Sequence, residues 1–198
     1  MRSGLRLLLL STLVVLVSAC ASNKQEEVLP EKTYYENARQ AMTSGNFNEA
    51  EENLDALETY YPFGRYAEQA QLDLIYARYQ NLDLEGSRAA ADRFLRLNPQ
   101  SDHGDYALYM RGLASYNLDI GLAARYFPID VAARDPGEQL QSFRDFSELL
   151  SRYPESQYVA DARQRMIAVR NRMAELELYA ARYYVKRQAY VAANNRAR

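Results

Sequence analysis

The chain has 198 residues, with 24 basic against 26 acidic side chains, one cysteine, one histidine, 17 tyrosines and no tryptophan. Such a composition excludes a disulfide-stapled domain and a metal centre built from histidine and cysteine, and its slight negative balance does not suit a nucleic-acid surface.

At the amino terminus, Arg2 and Arg6 supply a positive start to an uninterrupted stretch of Leu, Val, Ser and Thr from Leu7 to Val17. The run has the length of a secretory signal and falls short of the roughly 20 residues of a membrane span. Ser18 and Ala19 follow, and then Cys20, where the apolar run gives way to a polar segment. Val17, Ser18, Ala19 and Cys20 resemble a bacterial lipobox. The resemblance implies that residues 1–19 are removed and that Cys20 carries S-diacylglycerol and N-acyl lipid. At ~0.8 kcal/mol per buried methylene, three chains make a permanent anchor. Ala21 stands where an aspartate would resemble an inner-membrane retention signal, so the expected destination is the periplasmic face of the outer membrane. No cofactor beyond the lipid is expected. Residues 1–19 hold two arginines and no acids, so their removal makes the chain more acidic and nucleic acid a still poorer partner.

Residues 20–32 are polar and aperiodic and read as a lipidated flexible tether. From residue 33 to 198 the pattern is all-α. Glycine and proline are sparse, and apolar sets recur at helical spacing, such as Leu72, Ile75, Tyr76, Tyr79 and Phe143, Phe146, Leu149, Leu150. Prolines mark the joints, and two joints share a pattern: Pro62, Tyr66, Ala70 and Pro154, Tyr158, Ala162. A tetratricopeptide frame of about 34 residues closed on Pro62 puts Ala38, Gly45, Phe47 and Ala50 at its small, turn, aromatic and small positions. Small residues let two helices cross closely, and a glycine relieves the turn between them. Closed on Pro99 the frame gives Ile75, Leu84 and Ser87. Closed on Pro154 it places Phe146 and Leu149 inside, with Gly112 at the close approach. A fourth frame has Ala181, Tyr190 and Ala193, with Gln188 in place of the turn glycine. The expected fold is a tetratricopeptide-like α-solenoid of antiparallel helix pairs.

The third frame carries an insertion, residues 119–135, between a helix expected to end near Leu118 and one starting near Pro136, with Asp135 as its cap. Tyr126, Phe127, Ile129 and Val131 make it either a functional loop or a cover for the solenoid's flank.

Catalysis has little material. His103 sits in the turn "NPQSDHGD", Glu51, Glu52 and Asp55 read as a charged outer face, and phosphate-cradling or nucleophile-elbow motifs are missing. An enzyme is not expected. Tyrosine, by contrast, is abundant, and it supplies large rigid area with a hydrogen bond at its tip. The frame projects Tyr35, Arg39, Tyr76, Tyr79, Tyr109, Tyr116 and Asn117 onto the concave side of the first helices. There they either form a peptide-binding groove or pack between helices.

The run "YPFGRYAEQAQLDLIYARYQNLDLEGSRAAADRFLRLNP", with "YALYMRGL" and "FSELLSRYPESQYVADA", resembles the BamD family of lipoproteins in the β-barrel assembly machinery. The resemblance implies a scaffold that receives unfolded outer-membrane proteins on its N-terminal repeats and docks C-terminally on the periplasmic domains of BamA. Other Bam lipoproteins, such as BamC, lie along it in some lineages. "NNR" at 194–196 matches a family segment whose arginine is associated with BamA, which nominates Arg196. Family members have five repeats, so the resemblance also implies a repeat domain incomplete at its C-terminus. A periplasmic repeat lipoprotein organising cell-wall or division machinery is the alternative reading.

Overall fold

Gly45, Leu82 and Gln188 share a backbone conformation, with φ of +76°, 64° and 59°. Each ends a helix in the same way. The amide after it donates to the carbonyl five residues back, at 2.9 Å for Asn46 to Ala41, Asp83 to Arg78 and Ala189 to Tyr184. Its own amide donates three residues back, to Met42, Tyr79 and Val185. This is the Schellman closure, which satisfies the last helical carbonyls and reverses the chain. In the first two turns the following residue also caps the next helix: the Asn46 side chain accepts from the amide of Glu49, and Asp83 from that of Gly86.

The computed structural model describes residues 28–126 and 137–197. Among them are eight helices and no strand: α1 Glu31–Thr43, α2 Phe47–Tyr60, α3 Ala67–Gln80, α4 Leu84–Leu97, α5 Gly104–Tyr126, α6 Gly137–Arg152, α7 Val159–Lys186 and α8 Tyr190–Ala197. They pair as α1–α2, α3–α4, α5–α6 and α7–α8. A second turn type joins one pair to the next. After Tyr61, Asn98 and Tyr153, the amides of Gly64, Ser101 and Ser156 donate back to those residues, and each returns the chain to a new first helix. The all-α repeat fold expected from the sequence is what these turns build.

Within pairs the crossing points are small, as the frame required. Ala38 and Ala50 are fully buried. In the next two pairs a serine takes the second position: Ser87 Oγ donates to the Ile75 carbonyl and Ser142 Oγ to that of Gly112, both at 2.9 Å. A Cβ on Gly112 would stand 2.7 Å from the Phe146 ring, so only glycine fits there. Between pairs the core is aliphatic and aromatic. Leu54, Leu57 and Leu74 fill the first layer, Ile75 and Phe94 the second, and Leu108, Phe146 and Leu149 the third.

Two boundaries differ from the sequence reading. The first helix starts at Glu31, inside the expected tether, and Leu29 is already fixed: its amide donates to Tyr34 Oη at 3.2 Å and its carbonyl accepts from Tyr61 Oη at 3.0 Å. Helix α5 does not stop near Leu118 but runs to Tyr126. Between Leu118 and Tyr126 the one glycine is Gly121, a cost of about 1 kcal/mol that a long helix absorbs, and proline first appears at 128. Phe127, Ile129, Val131, Asp135 and Pro136 lie outside the described residues.

Candidate docking surfaces

The two long sides of the solenoid differ chemically. Along the side carrying parts of α2, α4 and α6, charged groups tie one pair to the next. Arg78 donates from Nε to Glu51 at 2.9 Å and from Nη2 to Asp55 at 3.0 Å. Arg93 bonds Glu58 at 2.7 Å, and Arg111 reaches Asp92, Asp145 and Glu148, each at 2.9 Å. Glu51 and Asp55 are therefore not a free outer face as the sequence suggested, because Arg78 of the next pair clasps them. Burial raises the carboxyl of Asp145 above its usual range, against the charge of Arg111.

The first helices carry tyrosine instead. Tyr35 of α1 stacks on Tyr66 in the following turn, centroids 4.6 Å apart at 16°. Tyr109 of α5 stacks in the same way on Tyr158, at 4.7 Å and 16°. Tyr66 and Tyr158 are the tyrosines four residues after Pro62 and Pro154. The sequence displayed this pattern, but it marked the repeat phase and not the surface. His103 holds the equivalent place after Pro99, exposed, its amide donating to Ser101 Oγ at 3.1 Å.

The remaining projected residues join neighbouring first helices. Asn117 of α5 donates to Tyr79 Oη of α3 at 2.5 Å. Tyr109 Oη donates to Asp161 of α7 at 2.7 Å, Arg165 Nε donates to the same oxygen at 2.5 Å, and the Arg165 guanidinium lies 5.2 Å over the Tyr116 ring. Tyr76 is 39% exposed and packs against Phe47 in a T-shaped pair, centroids 6.0 Å apart, and Arg39 is exposed beside Tyr35. The seven residues thus share one side, but six of them contact a side chain of a neighbouring repeat or of the turn leading to it, and Tyr76 and Arg39 keep the most open contact area.

Missed in the sequence were Asp73 and Tyr106, which sit between these groups. Asp73 is buried on α3 and accepts from Gln69 at 2.9 Å. Burial pushes its carboxyl up, opposed by the Gln69 hydrogen bond and the charge of Arg39. Tyr106 is shifted upward by burial and by its neighbours Tyr158, Asp73 and Tyr76. Asp73, Tyr106, Tyr158 and His103 line a shallow cavity of about 240 Å³ on this side. Burial and the bond to Asp161 push Tyr109 up to about 12. Burial works against ionisation of Asp161 itself, but hydrogen bonds from Arg165 and Tyr109 outweigh it and hold the carboxyl below its usual range.

At the far end, Arg196 on α8 donates from Nη1 to both carboxylate oxygens of Glu177 of α7, at 3.2 and 3.3 Å, both residues half-exposed. Nearby Leu178, Tyr179, Tyr183, Val185, Tyr190 and Val191 are all exposed. Cys20 lies outside the described residues. Among the described residues no group of three histidine, cysteine or carboxylate side chains is placed to hold a metal, and no helix is long and apolar enough to cross a membrane.

Stacked helix pairs, a salt-bridged side and an aromatic side define an all-α helical-repeat protein. The family model described as YfiO, outer membrane lipoprotein, matches residues 28–198, and the chain belongs to that family. The outer membrane protein assembly factor BamD of Vibrio cholerae serotype O1 is 46% identical over 168 residues, covering 85% of this chain and 70% of the relative. The protein of the same name from Neisseria meningitidis serogroup B is 38% identical over 200 residues, 97% of this chain and 74% of its own. That of Pasteurella multocida is 36% identical over 180 residues, 91% and 69%.

Proposed function

We propose that this chain is an outer membrane protein assembly factor. In this reading it is a non-enzymatic scaffold, anchored through lipid on Cys20 at the periplasmic face of the outer membrane. It holds unfolded outer-membrane proteins on its aromatic side and passes them to a barrel-forming subunit of the BamA type, whose periplasmic domains dock near Arg196; other Bam lipoproteins are further partners. The observation that carries the assembly role is the identity to the Vibrio relative, whose name is that role. Support for the place of client contact comes from the chemistry of the two sides. Arg78, Arg93 and Arg111 already have carboxylate partners, whereas Tyr76 and Arg39 keep exposed surface on an aromatic stripe, a composition that suits extended peptide.

The test is photocrosslinking from position 76 and from position 93 on the opposite side, with an unfolded outer-membrane barrel protein as probe. Adducts from 76 and few from 93 support the reading. Equal yields from both sides, or none from either, overturn the assignment of the groove.

A further inference from the structure

Phe63 is 98% exposed, more than any other large apolar residue among those described. It stands at the tip of a fixed turn: Pro62 precedes it, the Gly64 amide donates to the Tyr61 carbonyl at 3.0 Å, and the Tyr66 amide donates to Glu31 at 2.7 Å. The Glu31 carboxylate also fills the space where a Cβ on Gly64 would lie. These bonds lock the turn against the start of α1. The bond from Tyr61 to Leu29 adds the incoming chain to the same corner. Val28, Leu29 and Tyr60 are exposed there too, at 47%, 36% and 44%, with Arg65 beside them. A single exposed apolar side chain needs no explanation, but four grouped at one rigid corner form a patch of the kind that marks a contact site.

The chain itself says what it contacts. Cys20 precedes Val28 by so few residues that even fully extended they span at most about 28 Å. A lipid on Cys20 therefore keeps this corner within that distance of a bilayer. Tethering makes the encounter intramolecular, so a patch too small to bind membranes alone suffices. Phenylalanine and tyrosine belong at the boundary between headgroups and acyl chains, and an arginine at the anionic headgroups. We infer that Phe63, with Tyr60, Val28 and Leu29, forms a membrane-contact corner that enters the lipid interface and fixes the solenoid's orientation to the bilayer. The inference rests on the proposed lipidation of Cys20.

The chain contains no tryptophan, so Phe63→Trp creates a single reporter. Lipidated protein goes into vesicles of phosphatidylethanolamine and phosphatidylglycerol, with and without brominated acyl chains. Leu97→Trp, exposed at the matching end of the next pair, is the control. The expected result is blue-shifted, bromine-quenched emission from Phe63→Trp beside water-like, unquenched emission from Leu97→Trp. Water-like, unquenched emission from Phe63→Trp in folded, vesicle-bound protein overturns the inference, and equal quenching of both variants overturns it as unspecific. Mass spectrometry of the purified protein reads the anchor separately. If Cys20 carries no lipid, the anchor reading fails, and coupling Cys20 to a maleimide lipid still reports whether this corner enters a bilayer.

Discussion

The hydroxyl of Tyr109 donates to the carboxylate of Asp161 across 2.7 Å and joins the third helix pair to the fourth. The partners shift each other in opposite directions: Tyr109 is raised by burial and this bond, and Asp161 is lowered by Arg165 and this bond despite burial. The Asp161 contribution is complete above its unfolded value near 4 and is lost as pH falls through its depressed folded value. The Tyr109 contribution is complete below about 10 and is lost as pH rises through about 12. Tyr109→Phe should cost about 1–2 kcal/mol at neutral pH, the range for a hydrogen bond to a charged group that is partly solvated. It should also flatten the alkaline limb. Urea unfolding across pH decides this, and a neutral-pH midpoint equal to wild type would refute it.

Gly112→Ala brings two opposing effects. Alanine favours the helix by about 1 kcal/mol, but its Cβ would meet the Phe146 ring at 2.7 Å. Phe146 is fully buried and cannot swing aside. Overpacking of this kind costs about 1–3 kcal/mol, so the clash wins and net destabilisation is expected. Phe146→Leu, destabilising alone, should cost less in the Gly112→Ala background. Additive losses in that double-mutant cycle would show that the two do not press on each other.

The Schellman turns give a cleaner case. Nothing lies within 4 Å of a Cβ placed on Gly45, so the cost of Gly45→Ala comes only from its φ of +76°, roughly 1 kcal/mol. Leu82 holds the same conformation with its side chain mostly in solvent. Leu82→Gly should therefore raise the thermal midpoint while Gly45→Ala lowers it. If both lower it, Leu82 contributes packing that outweighs its strain.

These turns also show what the sequence displayed and what it hid. Gly45 was legible because a reversal between two helices is where a glycine is called for, and Ala38, Ala50, Ser87 and Gly112 were legible because close crossings admit little else. Leu82 looks like a core leucine and adopts positive φ only because the caps on either side over-determine it. The clasp of Arg78 on Glu51 and Asp55 is a long-range pairing, which a helix's own charge pattern does not encode. Tyr66 and Tyr158 were visible as repeat markers, but their stacking on Tyr35 and Tyr109 required knowing which way each turn hands the chain on. The projected tyrosines came out on one side because helical period determines face; how many already had partners depends on the neighbouring repeat.

Cys20→Ala should leave a folded chain that takes up no lipid, since no other thiol exists to accept diacylglycerol. Metabolic labelling with palmitate reads it directly. Undiminished label in the variant would place the lipid elsewhere and remove the basis for the membrane-contact corner.

Arg196 separates stability from docking. Its pair with Glu177 is half-exposed on both sides, and such pairs contribute roughly 0–1 kcal/mol. Arg196→Ala should therefore move the unfolding midpoint little. The same weakness lets the guanidinium exchange Glu177 for a partner's carboxylate without a large cost, and the exposed Tyr190 and Val191 on the same short helix would supply apolar area for such a contact. Affinity for the periplasmic domains of a BamA-type subunit should fall in Arg196→Ala and also in Arg196→Lys, because an ammonium cannot make the two parallel bonds that a guanidinium can offer a partner's carboxylate. Glu177→Gln should strengthen binding by freeing the arginine from its internal partner. The three variants are compared by calorimetric titration. Weaker binding in Glu177→Gln would mean that the internal pair is what positions Arg196, and wild-type binding in Arg196→Ala would remove it from the interface.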